Sequence, residues 1–357
     1  MKLEELAEQC GEWLRGTGPE ADIVMSSRVR LARNLSNYPF VRRCSEQDRA
    51  QIEREIRERM METESWKDAL YFNVFQLSPL DRQFLVERQM MSRELADAEG
   101  PRAVLIDRRE QFSVMINEED HLRLQVMHSG FDLEPAWNVI NQIDDELERR
   151  LSYAFHDRLG YLTACPTNVG TGLRVSVMLH LPALVMTREI EKVFRSLQKM
   201  NLAVRGLYGE GSQAMGDFYQ ISNQITLGQT EFELRKQVSD IVPAIIEYER
   251  QARRTLLEQS RKELHDRVSR AQGLLSRAQT ISSEETMLLL SSIRLGINVG
   301  LITDIDVATI NKLFLHTQPA HLQKLKGRVL NTKERNEERA AYLQRYLGAG
   351  PSGPLIA

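Results

Sequence analysis

The chain contains 357 residues, 42% of them hydrophobic, and is long enough for two domains with buried cores. Its 47 basic residues nearly balance its 50 acidic residues, so the overall charge favours neither nucleic acid nor an anionic membrane as a partner. Its three cysteines include no CxxC pair, which disfavours a disulfide framework and a structural zinc site.

The sequence also lacks the patterns of secretion and membrane insertion. Residues Met1–Leu6 are acidic and have no apolar core of the kind found in signal peptides. The longest apolar stretch, Met287–Ile302, is interrupted by polar residues and is too short to span a bilayer. We therefore expect a cytoplasmic protein without a membrane partner.

Between about residues 22 and 254, short segments of alternating polarity are interspersed with helical segments, a pattern typical of a sheet with helices packed on it. The first predicted strand, Ser26–Leu31, places Arg28 and Arg30 on the face opposite its apolar side chains. Two arginines side by side on one face of a sheet require an anion. A charged amphipathic helix is predicted over Glu46–Glu64.

Two further strands are predicted around an acidic connection. Phe112–Ile116 and Leu122–Met127 both alternate, and Asn117–His121 lies between them. This arrangement predicts two strands that present carboxylates at a loop, where functional residues are common.

The clearest strand pattern covers Leu173–Leu181, with apolar residues on one face and Arg174 on the other. Other elements are predicted on its C-terminal side. They are a helix over Thr187–Lys199, strands over Leu202–Arg205 and Phe218–Ile225, and a helix from Thr230 to about Arg253.

After about residue 255 only helical patterns remain. The apolar stripe formed by Leu257, Leu264, Val268, Ala271 and Leu275 indicates one amphipathic helix. Capping boxes are predicted where Ser282 precedes Glu285 and where Asn331 precedes Glu334. These patterns predict a catalytic domain over residues 1–254 and a helical domain over residues 255–357.

Five arginines on or beside predicted strands could bind a polyphosphate. The sequence contains neither a GxxxxGK[ST] loop nor the motif set of protein kinases, so a nucleotide would have to be held by such a cluster. Phosphoryl transfer needs this kind of cationic site, because positioning and charge stabilisation dominate the reaction. Each arginine taken alone is equally consistent with a solvated strand position. The five are Arg28, Arg30, Arg123, Arg174 and Arg205.

Five sequence blocks resemble motifs of the phosphagen (guanidino) kinases in the same order, including the CPTN-x-GT signature of that family. They are Ser26–Arg30, Asn117–Arg123, Cys165–Arg174, Arg205–Glu210 and Ile221–Asn223. The resemblance implies an α+β fold, with an antiparallel sheet flanked by helices and then an all-helical domain. It also implies phosphoryl transfer from ATP to a guanidinium.

The same resemblance assigns roles to individual residues. The five arginines would bind the ATP phosphates, while Glu119 and Glu210 would hold the guanidinium beside the thiol of Cys165, with Glu119 as the base. Ser27, Gln89 and Met178 would lie near the nucleotide. Mg²⁺ would be held by the ATP phosphates and water, without protein ligands. Taken singly, Glu119 and Glu210 could also be solvated loop acids.

The order of the two predicted domains bears on the substrate. A helical domain that follows the catalytic domain is similar to the arrangement in bacterial protein-arginine kinases. This resemblance implies that the chain phosphorylates arginine in proteins and thereby marks them for Clp-type proteolysis under stress. It implies an activator protein and a Clp-type protease as further partners, while the apolar segments Met287–Leu290 and Ile293–Ile302 of the helical domain predict a homodimer. A kinase of a small free guanidine and a non-catalytic phosphoarginine adaptor are the alternatives.

The protein-arginine kinases carry an R-D-x-x-R-A motif that binds phosphoarginine. The corresponding residues here are Arg335, Asn336 and Arg339, with Asn336 in place of the aspartate. Because Arg335 and Arg339 are four residues apart, a helix would place them on one face, where they could bind a phosphate together. An ordinary charged helix face is the alternative interpretation.

Overall fold

The computed structural model describes residues 3–63, 66, 68–206 and 215–348, and within them the chain forms a large sheet followed by a helical region. The strands are β1 (Val24–Arg33), β2 (Leu70–Asn73), β3 (Ala103–Ile106), β4 (Phe112–Ile116), β5 (Leu122–Ser129), β6 (Phe155–His156), β7 (Gly160–Tyr161), β8 (Leu173–His180), β9 (Leu202–Gly206) and β10 (Phe218–Asn223). The helices are α1 (Leu3–Ala7), α2 (Glu46–Met61), α3 (Pro79–Glu87), α4 (Arg93–Asp97), α5 (Leu133–Glu148), α6 (Pro182–Met186), α7 (Ile190–Lys199), α8 (Glu231–Gln259), α9 (Arg261–Arg277), α10 (Ser283–Asn298), α11 (Val307–His316), α12 (Pro319–Lys326) and α13 (Thr332–Leu347).

Eight of the described strands form one antiparallel sheet in the order β2-β3-β4-β5-β1-β8-β10-β9. Strand β1 lies at its centre, between β5 and β8. Strands β6 and β7 form a separate hairpin. The observed architecture confirms the predicted α+β fold with an antiparallel sheet, helices packed on it and a helical C-terminal region.

The strand register gives the sheet two chemically different faces. Val29 lies opposite Val126 on one side and Val175 on the other, and all three are buried. Helices α5 and α8 cover this apolar face. Because side chains alternate along a strand, the residues between these positions project from the opposite face of the sheet.

Some predicted elements differ from the observed ones at their ends. Strand β8 ends at His180 because Pro182 begins helix α6 at the next turn. The helix predicted over Thr187–Lys199 is observed as α7 and begins three residues later, at Ile190, because Arg188 adopts a left-handed conformation with φ 60° between α6 and α7. Helix α2 ends at Met61, three residues before the predicted end.

The long helix α8 crosses the predicted domain boundary. The sequence predicts that it ends near Arg253, but the helix continues to Gln259, so residue 254 lies inside it. The chain turns at Ser260, where α9 begins. The division into residues 1–254 and 255–357 stays a prediction.

In the helical region, four residues of the predicted apolar stripe, Leu264, Val268, Ala271 and Leu275, are buried on α9, while the fifth, Leu257, lies on α8 because the chain turns at Ser260. The capping box at the start of α13 is also observed, with Asn331 and Glu334 bonding reciprocally. At the start of α10 the hydroxyl of Ser282 accepts from the backbone N–H of Glu285, a one-way cap. The sequence patterns therefore correctly located the starts of α10 and α13 and most of the buried face of α9.

A buried arginine joins the helical region to the sheet. Arg294 on α10 donates to Nδ1 of His180 at 2.8 Å, to the carbonyl of Ala21 at 2.6 Å and to that of Asp22 at 3.0 Å. Burial and the nearby Arg253 lower the pKa of Arg294 to about 9. The helical region therefore packs over the His180 end of the sheet through a network of polar contacts.

The apolar residues of α10 are used inside the chain. Met287, Leu290, Ile293 and Leu295 are all buried within one copy. These residues were the reason to expect a homodimer, and intramolecular packing accounts for them. The dimer therefore stays a prediction. No helix within the described ranges is long and apolar enough to cross a membrane.

A buried ion pair fastens α5 to the apolar face of the sheet. Arg33 on β1 donates to Asp144 through Nε at 3.1 Å and Nη2 at 2.6 Å, and its guanidinium lies 3.6 Å from the ring centroid of Tyr161. It also donates to the carbonyl of Thr171 at 2.8 Å, which fixes the loop before β8. This pair thus supports both the core and that loop.

We expect Asp144→Ala to lower the free energy of unfolding by about 3–5 kcal/mol, because it leaves the buried charge of Arg33 without its partner. Urea denaturation followed by circular dichroism measures the change. The matched control is Asp145→Ala on the exposed side of the same helix, which should change stability by less than about 0.5 kcal/mol. Equal effects of the two substitutions would contradict the role given to the ion pair.

Candidate active site

The five arginines singled out in the sequence project from one face of the sheet. On the central strands, Arg30 of β1 lies directly opposite Arg174 of β8, and Arg28 lies opposite Ser176. Strand β5 adds Arg123, which pairs with Ala32 on the same face of β1. These positions share a face because directly opposed residues in neighbouring strands project to the same side.

Arg205 reaches the same face from the edge of the sheet. It lies opposite Gln220 of β10, which in turn lies opposite Met178 of β8. The sheet therefore carries all five guanidinium groups on the face away from α5 and α8. We call this surface the arginine face, defined by Arg28, Arg30, Arg123, Arg174 and Arg205.

The arginine face carries more positive charge than its surroundings neutralise. Burial, together with repulsion from Arg123, Arg174 and Arg205, lowers the pKa of Arg28 to about 9. The pKa of Arg30 is lowered well below its ordinary value by burial and then by the neighbouring arginines. The Nε of Arg30 is buried and has no hydrogen-bond partner among the described residues. Such a site favours binding of an anion with several negative charges.

Neutral amide groups orient Arg28. Its Nη2 donates to Oε1 of Gln220 at 2.8 Å, and its Nη1 donates to Oε1 of Gln89 at 3.3 Å. Gln89 and Met178 both line a small pocket with Arg28 and Ser176. The structure therefore places Gln89 and Met178 beside the arginine face, and their proximity to a nucleotide stays a prediction.

The structure places Ser27 elsewhere. It projects from the opposite face, where its hydroxyl donates to the carbonyl of Gly130 and accepts from the backbone N–H of Asp132, both at 2.9 Å. Its neighbour Ser26 lies on the arginine-bearing side and lines the same pocket as Arg28. Strand alternation alone would have favoured Ser26, because it shares a face with Arg28.

A carboxylate that the sequence analysis did not single out holds Arg123. Glu118 is buried and accepts from Nη1 of Arg123 at 2.6 and 2.5 Å, and Ser92 donates to it as well. Burial would raise the pKa of Glu118, but the charge and hydrogen bonds of Arg123 outweigh it and lower the pKa. Glu118 is therefore an ionised group that orients one arginine of the cluster.

The adjacent Glu119 has a different environment. It is half-buried and makes no hydrogen bond to any residue in the described part of the chain. Burial raises its pKa, as does the charge of Asp120, while Arg123 acts in the opposite direction. A carboxylate with a raised pKa and without fixed partners is suited to exchange protons with a bound group.

Asp120 joins the acidic segment to the cysteine loop. Its Oδ1 accepts from the backbone N–H of Ala164 at 2.7 Å and from Nδ2 of Asn34 at 2.5 Å. Cys165 follows directly, and its thiol lies 3.0 Å from the hydroxyl of Thr167. The sequence analysis did not assign a role to Asp120, although its contacts bring the predicted Glu119 and Cys165 segments together.

The loop between Cys165 and β8 is anchored from two sides. The hydroxyl of Thr226 donates to the carbonyls of Thr167 and Val169 at 3.0 and 2.7 Å. At Gly172 the chain has φ 64°, and a Cβ there would lie 2.5 Å from the carbonyl oxygen of Ala32. A side chain at Gly172 would force the loop away from β1, so glycine is needed there.

The remaining predicted site residues are Glu210 and three residues of α13. Glu210 lies outside the described residues. On α13, Arg339 is buried and donates to the carbonyls of Thr317 and Ile281 at 2.7 and 2.9 Å and to Oδ1 of Asn336 at 2.8 Å. Arg335 donates to the carbonyl of Leu330 at 2.9 Å. In this arrangement Arg339 stabilises the helical region through backbone carbonyls.

No cluster of three or more histidine, cysteine, aspartate or glutamate side chains in the described ranges is arranged to hold a metal ion. The buried carboxylate Glu118 is paired with Arg123. The cationic donors of this face are suited to binding an anion.

Comparison with known proteins identifies the two parts of the chain. Residues 51–252 match the ATP:guanido phosphotransferase C-terminal catalytic domain, and residues 261–353 match the protein-arginine kinase McsB C-terminal domain. A protein-arginine kinase from Symbiobacterium thermophilum is 49% identical over 94% of this chain and 96% of its own length. One from Halothermothrix orenii is 45% identical over 96% of this chain and 99% of its own.

Solved structures show the same fold in guanidino kinases. A lombricine kinase superposes with a TM-score of 0.57 and 26% identity, covering 68% of this chain and 70% of its own. A duplicated taurocyamine kinase from Schistosoma mansoni, with bound transition-state analogue components, gives a TM-score of 0.58 and 25% identity over 78% of this chain and 41% of its own. With its fold, its arginine face and both matched regions, the chain belongs to the ATP:guanido phosphotransferase family and, within it, to the protein-arginine kinases.

Proposed function

We propose that this protein transfers the γ-phosphoryl group of MgATP to the side chain of arginine residues in proteins. The family supports phosphoryl transfer to a guanidinium, and the relatives described above are named protein-arginine kinases. The match of residues 261–353 to the C-terminal domain of a protein-arginine kinase supports a protein substrate over a free guanidine.

The observation that carries the proposal is the convergence of five arginines on one face of the sheet. Arg28 and Arg30 have lowered pKa values because burial and their cationic neighbours destabilise their charge. A triphosphate bound here would offset that repulsion and would be held in a fixed position. Positioning and charge stabilisation are the main requirements of phosphoryl transfer.

The acidic segment and the cysteine loop would hold the acceptor. A guanidinium is planar with a fork of donors, so Glu119 and Glu210 could hold it while Cys165 contacts it from the side. Glu119 would accept one N–H proton as the freed nitrogen bonds to the γ-phosphorus. The bond between that phosphorus and the β–γ bridging oxygen would break, and ADP would leave with the electron pair.

Magnesium would enter as part of the substrate MgATP. Mg²⁺ is commonly held by phosphate oxygens, waters and one or two carboxylates, and not by a full protein cage. The arginine face supports this assignment because its donors are cationic and its buried carboxylate, Glu118, already binds Arg123.

The wider role follows from the same activity. We propose that phosphorylation marks proteins for a Clp-type protease in the cytoplasm under stress, with an activator protein and a second copy of the chain as further partners. Phosphoarginine sensing would fall to Arg335, Asn336 and Arg339. The side-chain amide of Asn336 cannot supply the negative charge of an aspartate, and Arg339 is buried against backbone carbonyls, so binding at this site would rest mainly on Arg335.

A purified protein substrate such as casein, incubated with the enzyme and MgATP, should acquire phosphate on arginine nitrogens, detected by mass spectrometry under non-acidic conditions. Free arginine and creatine tested in parallel should be poor acceptors. Transfer to free arginine alone would favour a small-guanidine kinase. Binding of phosphoarginine without any transfer would favour an adaptor.

Glu119→Gln should lower kcat by about 10²- to 10⁴-fold, because the amide cannot accept the guanidinium proton. The initial rate of ADP release measures the effect independently of product stability. The matched control is Glu58→Gln on the exposed side of α2, which should retain wild-type kcat. Wild-type activity in Glu119→Gln would refute the assignment of the base.

The pH profile tests the same residue. Glu119 must be ionised to act as a base, and its pKa is raised by burial and by Asp120. The value of kcat/KM, which reports ionisations of the free enzyme, should therefore fall as the pH drops through a pKa above the ordinary ~4.3 of glutamate. This acid limb should be missing from the residual activity of Glu119→Gln. An acid limb that is unchanged in the variant would assign it to another group.

A further inference from the structure

A polar junction connects α3, beside the arginine face, with α12 of the helical region. Glu87, the last residue of α3, is buried and accepts from the backbone N–H of Ala320 at 2.9 and 3.0 Å. It also accepts from the backbone N–H of His321 at 2.8 Å. These donors belong to the first turn of α12, where N–H groups lack partners within the helix. Glu87 thus caps a helix that lies more than 230 residues away along the chain.

Gln89, two residues after Glu87, lies beside the arginine face. Gln89 adopts a left-handed conformation with φ 62°, which turns the chain sharply after α3. Its side-chain oxygen accepts from Nη1 of Arg28 at 3.3 Å, and its carbonyl accepts from Nε2 of Gln125 at 2.7 Å. The connection from the α12 cap to an arginine of the cluster therefore runs through three consecutive residues.

The residue between them has little freedom. Arg88 is buried and pairs with Glu110, and its carbonyl accepts from Nε1 of Trp13 at 3.2 Å. Arg88 therefore fixes the middle of the segment, while the contacts of Glu87 and Gln89 fix its two ends.

A cavity lies along this link. Glu87 and Gln89 line it on one side, and Met287, Phe314 and Gln318 of the helical region line it on the other. Gln89 also lines the adjoining pocket that contains Arg28. Gln89 has no closely packed neighbour among the described residues on the side of the cavity. Its position therefore depends mainly on its hydrogen bonds with Arg28 and Gln125.

We propose that Glu87 is a positioning residue for nucleotide binding: by capping α12, it holds Gln89 in the orientation that directs Arg28 toward the phosphates. An amide acceptor orients the guanidinium without neutralising it, so the positive charge remains for the nucleotide. This inference rests on the proposed function, because it assumes that Arg28 binds ATP. Glu87 itself touches neither substrate.

Glu87→Ala should raise the KM for ATP by about three- to tenfold, which is the effect of losing one hydrogen bond of ordinary strength. The value of kcat should change by less than about twofold, because the interaction is equal in the ground state and the transition state. Direct titration of MgATP by calorimetry should show the same rise in Kd. The KM for the protein substrate should not change.

A double-mutant cycle tests whether Glu87 acts through Gln89. Gln89→Ala should raise the KM for ATP to a similar extent. The KM for ATP of the double variant should be no higher than that of Gln89→Ala alone. Multiplicative effects of the two substitutions would overturn the proposal, because Glu87 would then act by another route. A loss of kcat at unchanged Kd for MgATP would overturn it as well.

Two further variants distinguish the positioning of Gln89 from a general loosening of the contact between α3 and α12. Glu87→Gln keeps one acceptor oxygen for the α12 cap and should bring the KM for ATP back toward the wild-type value. Asp81→Asn breaks the ion pair to Lys324, at 2.6 Å, between the same two helices but far from Gln89. It should leave the KM for ATP unchanged, and a rise equal to that of Glu87→Ala would overturn the proposal.

The calorimetric readout keeps this inference separate from the proposed function. If the wild-type protein binds MgATP but places no phosphate on protein arginine, the proposed acceptor is wrong while the Kd comparison still decides the role of Glu87. Should Glu87→Ala prove too unstable to purify, Gln89→Ala decides it, with a raised Kd for MgATP expected in Gln89→Ala and an unchanged Kd in Asp81→Asn. An unchanged Kd for MgATP in Gln89→Ala would overturn the proposal.

Discussion

Mutual repulsion among five arginine side chains on one sheet face is the constraint that the surrounding structure has to offset. The buried Glu118 forms an ion pair with one member of the cluster, Arg123. Arg28 is held instead by the amide oxygens of Gln89 and Gln220, which orient a guanidinium without cancelling its charge. Apolar packing elsewhere in the fold offsets this repulsion. The arginine face can therefore bind an anion.

The two faces of the sheet divide these tasks. The apolar face, around Val29 and Val175, packs against α5 and α8 and supplies hydrophobic stabilisation. The buried pair of Arg33 and Asp144 lies on this face, where a carboxylate fully matches the charge. Arg30 and Arg33 lie three residues apart on β1 and have opposite roles. Strand alternation directs Arg33 into the core and Arg30 to the arginine face.

The helical region takes part in shaping the site from a distance. Arg294 on α10 binds the His180 end of β8, and α12 is capped by Glu87 on the segment that leads to Gln89. Both contacts use polar groups in buried surroundings, where an unmatched partner is costly. The relative position of the helical region and the sheet is therefore specified by a small number of directional bonds as well as by apolar packing.

Local sequence patterns determined much of this protein: the alternation in β1 and β8 placed Arg28, Arg30 and Arg174 opposite an apolar face, and the change to helical periodicity marked the C-terminal region. They could not determine which carboxylate binds Arg123, because Glu118 and Glu119 are adjacent and only the folded connection between β4 and β5 directs one of them inward. The contacts of Gln220, Asp120 and Glu87 depend on residues distant in sequence, and no local pattern encodes them. Tertiary structure alone decided those contacts, because hydrogen bonds between remote segments form only after the sheet and the helices have packed together.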